Sequence, residues 1–151
     1  VLGATYGRVG ESNYRPGSLS PEDDRLNRER LAERLPDLAD TLGGEILGGR
    51  VGIRATTTDH LPLVGPVPAK ALFLDTFADL RHGGARRRFG PAPYRPGLFV
   101  LTGLGSRGFS TAPLAAQILR ATLLGEPLPV PRDVHDALHP ARFLVRDLKR
   151  R

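Results

Sequence analysis

Cysteine is absent from the 151-residue sequence, which excludes disulfides, thiolate nucleophiles and thiolate zinc sites together. That absence fits a reducing cytoplasm. Methionine is absent as well, so the sequence does not open at a start codon. Either a tag or processed segment has been removed, or the chain is a piece of a longer one; the strand-like opening at Val1 favours the second. Long hydrophobic runs are also missing. Nothing approaches the roughly 20 apolar residues that span a bilayer, and no signal peptide is visible. The longest apolar segment, Pro113 to Leu124, is broken by Gln117 and Arg120. The expectation is a cytoplasmic globular protein with no membrane partner.

Charge is present but uneven. Residues 1–79 carry 9 basic and 12 acidic side chains and residues 80–151 carry 13 and 4, so net charges of −3 and +9 make up the total of +6. A basic half of this kind points to a polyanionic partner. Its densest stretch holds Arg81, His82, Arg86, Arg87, Arg88 and Phe89, followed by Tyr94 and Arg95. A second cluster, Arg142, Arg146, Lys149, Arg150 and Arg151, closes the chain. Guanidinium groups hold phosphates and aromatic rings stack on unpaired bases, so the pattern suits RNA. It equally suits a solvated basic surface in an arginine-rich protein.

Local signals predict a strand over Val1–Arg8 and a loop over Val9–Ser20. Ser20 can cap a helix that has Pro21 at its first position and Glu22, Asp23 and Asp24 in its first turn. Leu26, Leu31 and Leu35 mark its apolar side and Pro36 stops it. Alternation predicts a strand over 50–56 with Arg50, Gly52 and Arg54 on one face. A short extended piece follows at Leu61–Gly65, then a Pro-, Gly- and Arg-rich excursion over 66–97 with one helical turn near Leu74–Leu80. A buried strand is predicted at Gly97–Gly103, an apolar helix at Thr111–Leu124 ended by Gly125, a shorter helix at Arg132–Leu138, and a basic tail. The fold class expected is α+β.

Between that strand and the apolar helix lies Gly103-Leu104-Gly105-Ser106-Arg107-Gly108. Glycines admit close approach of the backbone to a ligand, and the helix start offers unpaired N–H groups and partial positive charge to an anion or electron-rich carbonyl. Alone, a glycine turn before a helix serves structure as readily as binding. It is not a dinucleotide fingerprint, because Pro127, Pro129 and Pro131 block the second strand such a unit requires.

Two segments carry a resemblance. Gly52-Ile-Arg54 through Asp59, Pro62 and Gly65 resembles the G-x-R-x-x-x-x-D-x-x-P-x-x-G segment of the FAD-dependent D-amino-acid oxidase and glycine oxidase family. Leu98–Gly108 resembles that family's last strand and flavin-contacting turn. Phe77–Arg81, Gly103–Gly108, Ala112–Ala116 and the ending Ala137–Arg146 are similar, more closely, to the oxidase half of the bifunctional enzymes of tRNA 5-methylaminomethyl-2-thiouridine biosynthesis. The resemblance runs from about Gly3 to Arg151.

The resemblance implies a division into a substrate-binding region over 1–97, a strand–turn–helix returning to a Rossmann-like FAD domain over 98–126, and a basic tail over 127–151. It implies FAD contacts at Gly103, Leu104, Gly105, Ser106, Arg107, Gly108 and Phe109, and substrate contacts at Arg54 and Arg107. The implied reaction is oxidative removal of the carboxymethyl group from 5-carboxymethylaminomethyl-(2-thio)uridine at the tRNA wobble position. A partner methyltransferase domain using S-adenosylmethionine would act afterwards, and no part of this sequence looks like it. The amino-terminal glycine fingerprint that grips the ADP half of FAD is also missing, so the chain alone is expected to bind FAD weakly or not at all and to be inactive in isolation. Expected tRNA contacts are Arg81, Arg86, Arg87, Arg88, Arg146 and Lys149. Asp59 is read as ordering the turn before Pro62, and His60 as a loop residue or, by side-chain type only, a proton shuttle. No catalytic acid or base is assigned. No metal is assigned either, since His82, His135 and His139 lack ligand spacing with carboxylates. Two other readings stay open: a glycine or D-amino-acid oxidase, which has no use for the basic half, and a non-catalytic RNA-binding module, which leaves the glycine turn unexplained.

Overall fold

The computed structural model describes residues 3–7, 19–42, 44–82 and 89–150, and it divides into two compact units, 1–53 and 54–151. In the first unit α1 spans Pro21–Arg34 and α2 spans Pro36–Thr41. Pro21 presets the first helical φ, and the three acidic residues behind it meet the positive end of the helix. Ser20 occupies the cap position, but its side chain makes no capping bond. Leu26 and Leu31 are half-buried, while Leu35 lies beyond the helix and is exposed. No residue of α1 or α2 is fully buried. Two expected strands are absent here. Residues 3–7 of the Val1–Arg8 segment are not in a strand, and in 50–56 only Thr56 forms a β-bridge, to Leu104. Exposure along 44–56, with Gly48, Gly49 and Gly52 contributing no packing side chain, leaves alternation there without a sheet to stabilise it.

The second unit is built on two antiparallel strands, β1 (Leu63–Pro68) and β2 (Tyr94–Thr102), paired Leu63 with Thr102 through Pro66 with Phe99. The register breaks between Pro66 and Pro68. Prolines are tolerated because a two-stranded sheet consists of edges only. The long connection holds α3 (Lys70–Thr76) and a 3-10 turn (Ala78–His82), more helix than the single turn expected. After β2 come α4 (Gly108–Leu124), α5 (Arg132–Leu138) and α6 (Arg142–Arg150). The mixture of helices with a small antiparallel sheet is α+β.

Two apolar clusters hold this unit together. Val64 of β1 packs with Ala115 and Ile118 of α4, flanked by Leu101, Leu119, Val130 and Leu138. Phe73 of α3 packs with Ala141 and with Leu148 of α6, flanked by Leu74, Phe77, Leu80, Leu144 and Val145. The second cluster explains why the expected basic tail is a helix. Ala141, Leu144, Val145 and Leu148 recur at helical spacing, so α6 buries one stripe and leaves Lys149 and Arg150 exposed. Helix α4 starts at Gly108 rather than Thr111, because the hydroxyls of Ser110 and Thr111 turn back onto the Arg107 carbonyl, at 3.0 and 2.8 Å. Gly125 closes it in the left-handed conformation. Among the described residues no helix is long and apolar enough to cross a membrane.

Candidate functional site

The ladder of β1 and β2 does not end where the strands do. One residue beyond Thr102 is Gly103, and beyond that Leu104 bridges to Thr56 while the Gly105 N–H donates to the Ala55 carbonyl at 3.0 Å. On the other side of the ladder the chain needs all of residues 57–62 to pass from Thr56 to Leu63. That segment is therefore an excursion, bulging out opposite a single glycine. Gly103 and Gly105 both have positive φ, 73° and 55°. A Cβ on Gly103 would stand 3.1 Å from Thr57 Cγ2, and one on Gly105 would stand 3.2 Å from Thr56 Cγ2. Handedness and crowding together demand glycine at these two positions.

This arrangement forms a small cleft of about 220 Å³ lined by Arg54, Ala55 and residues 101–105. Arg54 is thus brought beside the first half of the glycine turn. Ser106 and Arg107 are exposed and lie outside the lining, and the Phe109 side chain stands fully in solvent. The N–H groups of the turn are not equally available. Those of Gly105 and Arg107 are committed to Ala55 and Leu104 carbonyls. At the start of the 17-residue α4, Ser110 and Thr111 already donate to Arg107, so helix geometry leaves Gly108 and Phe109 as the donors without an intrahelical acceptor. A larger open groove of about 720 Å³, with Lys70, Tyr94 and Arg95 in its lining, involves none of these residues.

FAD can be tested against what is here. A guanidinium, two unclaimed helix-start amides and a shallow concavity suit one edge of a flavin and a carboxylate beside it. The cleft volume is below the roughly 300–1,000 Å³ of complete ligand pockets, so it has room for one edge of such a group and not for the whole.

The excursion is held from inside by Arg142. Its Nε and Nη2 donate to the two Asp59 carboxylate oxygens at 2.9 and 2.8 Å, Nη2 also reaches the Leu61 carbonyl at 2.8 Å, and Nη1 reaches the Pro62 carbonyl at 3.1 Å. Thr57 Oγ1 and the Leu61 N–H donate to the same carboxylate. The Arg142 guanidinium, followed by these neutral donors, holds the Asp59 carboxyl well below the usual carboxylate range. Asp59 therefore orders its turn, as expected. His60 occupies the left-handed corner of that turn, with its N–H on the Thr57 carbonyl, and does not line the cleft.

The expected tRNA contacts fare unequally. Arg86, Arg87 and Arg88 lie outside the described residues, and Arg81 stands in the 3-10 turn. Lys149 is exposed on α6. Arg146 divides itself between the Phe143 ring, 4.7 Å from its centroid, and Asp59, 3.4 Å away. Arg142 is withdrawn from the basic surface altogether by its ion pair. The rings offered for stacking are partly spent as well: Phe89 packs on Phe77, and Tyr94 meets His139 edge-on.

His139 is a feature that sequence reasoning missed. Its Nδ1 accepts the Ala141 N–H at 3.1 Å and so caps the entry to α6, while Nε2 lies 3.4 Å from the Tyr94 hydroxyl. Burial, and then the nearby His135, push its pKa down to about 4. Its place two residues before a helical stripe, followed by Pro140, was the available signal. Among the described residues no group of His, Asp and Glu could hold a metal ion.

The family model described as FAD dependent oxidoreductase matches residues 1–122. The chain is 45% identical over 157 residues to the tRNA 5-methylaminomethyl-2-thiouridine biosynthesis bifunctional protein MnmC of Pseudomonas paraeruginosa, covering 99% of this chain and 23% of that protein. It is 40% identical over 149 residues to the protein of the same name from Aeromonas hydrophila, covering 97% and 22%. The MnmC of Magnetococcus marinus is 40% identical over 151 residues, covering 99% and 23%. The chain spans less than a quarter of the length of the curated relatives it matches.

Proposed function

We propose that this chain, which belongs to the FAD dependent oxidoreductase family, forms one wall of the active site of a cytoplasmic tRNA-modifying oxidase. In this reading, residues 1–97 belong to the substrate-binding region and 98–126 return to the cofactor domain, with 127–151 closing the chain. The substrate is 5-carboxymethylaminomethyl-(2-thio)uridine at the wobble position. The observation that carries the reading is Arg54 set beside the glycine turn in one cleft.

Bound FAD would supply the two-electron acceptor for oxidation of the carbon between the substrate's secondary amine and its carboxylate. The resulting imine is hydrolysed by water to glyoxylate and the aminomethyl-uridine. Arg54 fits as the planar, bidentate cation that fixes the substrate carboxylate. Arg107, the residue before α4, is exposed and is proposed as a second cation for the substrate. The Gly108 and Phe109 N–H groups and the positive end of α4 would stabilise negative charge on the cofactor edge. A neutral amine needs no protein base for this step, so none is assigned. Arg81, Arg86, Arg87, Arg88, Arg146 and Lys149 are proposed phosphate contacts. A methyltransferase domain using S-adenosylmethionine would complete the modification.

The test is the visible spectrum of an oxidase carrying this sequence, mixed in turn with tRNA bearing the carboxymethylaminomethyl group and with glycine. Bleaching of a bound flavin by the tRNA alone supports the proposal. Bleaching by glycine alone supports a small amino-acid oxidase, for which the carboxylate cation would serve equally and the basic half would not. A protein without flavin would leave the basic residues as the evidence for function and favour an RNA-binding module.

A further inference from the structure

We propose that Arg142 and Asp59 are positioning residues for the candidate cleft, so that the carboxy-terminal helix sets where Arg54 stands against the glycine turn. This rests on Arg54 being the carboxylate-binding group. The argument starts from the mismatch in the ladder. Between the pairs Thr56–Leu104 and Leu63–Thr102 one side has Gly103 alone and the other has residues 57–62. A loop of this length has many shapes, and each would place Thr56, Ala55 and Arg54 differently along the turn.

One shape is selected by a plug from elsewhere in the chain. The Arg142 guanidinium enters the excursion and binds the Asp59 carboxylate and the Leu61 and Pro62 carbonyls together. It comes from 83 residues further along the sequence than Asp59. It is also tied at its own end, since Nη1 meets the Leu138 carbonyl at 3.2 Å and Val145 N–H bonds to Ala141. Leu148 and Ala141 anchor that end of the chain in the core. On the near side of the excursion the single Thr57 hydroxyl proton is shared between Asp59 Oδ1 and the Leu61 carbonyl, 2.9 and 2.6 Å from Oγ1, while its methyl is the side-chain group nearest a Cβ built on Gly103. Core, α6, Arg142, Asp59, Thr57 and Gly103 thus form one unbroken series of contacts ending at the cleft. Lysine cannot replace Arg142, because a single ammonium cannot span a carboxylate and two carbonyls in one plane.

The test compares Arg142→Lys with Ile118→Val, a control that removes one methylene from the other core cluster and leaves the excursion intact. The first readout is amide hydrogen exchange at Gly105, whose N–H is held by Ala55. Arg142→Lys should speed that exchange by about tenfold beyond what its change in global stability accounts for, and Ile118→Val should not. The second readout, in the flavin-bound oxidase, is a raised KM for carboxymethylaminomethyl tRNA with kcat retained. Asp59→Asn, which keeps the shape of the side chain, repeats the comparison if Arg142→Lys does not fold. Gly105 exchange equal to that of the control overturns the inference. Faster exchange with an unchanged KM supports the clamp and instead removes Arg54 from carboxylate binding, so the two failures are told apart.

Discussion

Arg25 and Arg142 each meet a carboxylate through two nitrogens, yet the surroundings differ in every respect that decides the outcome. Arg25 lies on α1 between Glu22 and Glu29, one turn away on either side, with its side chain 55% exposed and theirs 60% and 49%. Arg142 is 10% exposed and Asp59 21%, and the pair joins segments 83 residues apart. Around Arg25 water competes for every donor, and the partners are neighbours in the helix whether or not the pair forms. Around Arg142 the pair closes a loop and also binds the backbone carbonyls of Leu61 and Pro62. The lesson is that an ion pair matters here according to what it holds in place and what would be stranded without it.

The largest expected effect comes from breaking the inner pair. Arg142→Ala removes the ion pair and the donor to the Pro62 carbonyl while Thr57 and the Leu61 N–H stay on Asp59, and should lower stability by about 2–3 kcal/mol. Urea unfolding of the chain measures it; a loss under about 1 kcal/mol would place this pair with the surface pairs. Next is Gly103→Ala. The left-handed backbone costs about 1–2 kcal/mol for a residue with a Cβ, and the contact with Thr57 Cγ2 at 3.1 Å adds to it. Repeating the substitution in a Thr57→Ser background removes that methyl and keeps the hydroxyl. The cost should shrink there, and an equal cost in both backgrounds would mean that the excursion does not press on the turn.

Acid provides a gentler way to separate the two kinds of contact. His139 takes up its proton near 6.5 when unfolded but at about 4 when folded, because the ring is partly buried and His135 lies nearby. Between those values the unfolded chain binds more protons, so stability is full above about 6.5 and declines as the pH falls toward 4. The decline should approach about 2 kcal/mol, less than the whole shift implies because the ring keeps some contact with solvent. The Asp59 pair is untouched in that window, since its carboxyl stays ionised to lower pH. His139→Gln should flatten the profile of the urea midpoint between pH 7 and 4.5; an undiminished slope would assign it to other groups.

The same contrast explains what could be read in advance. The start of α1, the span of α5 and the end of α4 at Gly125 follow from residues adjacent in sequence, so Pro21, Glu22–Asp24 and Gly125 disclosed them. The alternation at 50–56 was equally local and misled, because a strand needs a partner and only Thr56 found one. Helix α6 was hidden by its four basic residues, Arg142, Arg146, Lys149 and Arg150, which drew attention from the Ala141, Leu144, Leu148 stripe. At the site, Asp59 was legible as a turn residue through its distance from Pro62. Its partner was not, since nothing in the sequence links positions 83 apart. Arg54 was legible through the family resemblance, whereas its closeness to Gly103–Gly105 required the coordinates.

The smallest effect is expected at the outer pair, and it tests the comparison from the opposite side. Arg25→Ala removes the contacts to Glu22 and Glu29 together. Both glutamates remain solvated, so no charge is stranded, and Glu22 still lies in the first turn where the helix end favours it. Alanine is also the stronger helix former, which offsets part of whatever the pair contributes. The urea midpoint should therefore stay within measurement scatter of the unsubstituted chain, and raising the salt to 1 M should leave the two proteins indistinguishable, since exposed pairs are the ones salt screens. A shift comparable to that of Arg142→Ala would mean that α1 depends on this pair for more than its own surface, and that exposure does not set the ranking proposed for the two regions.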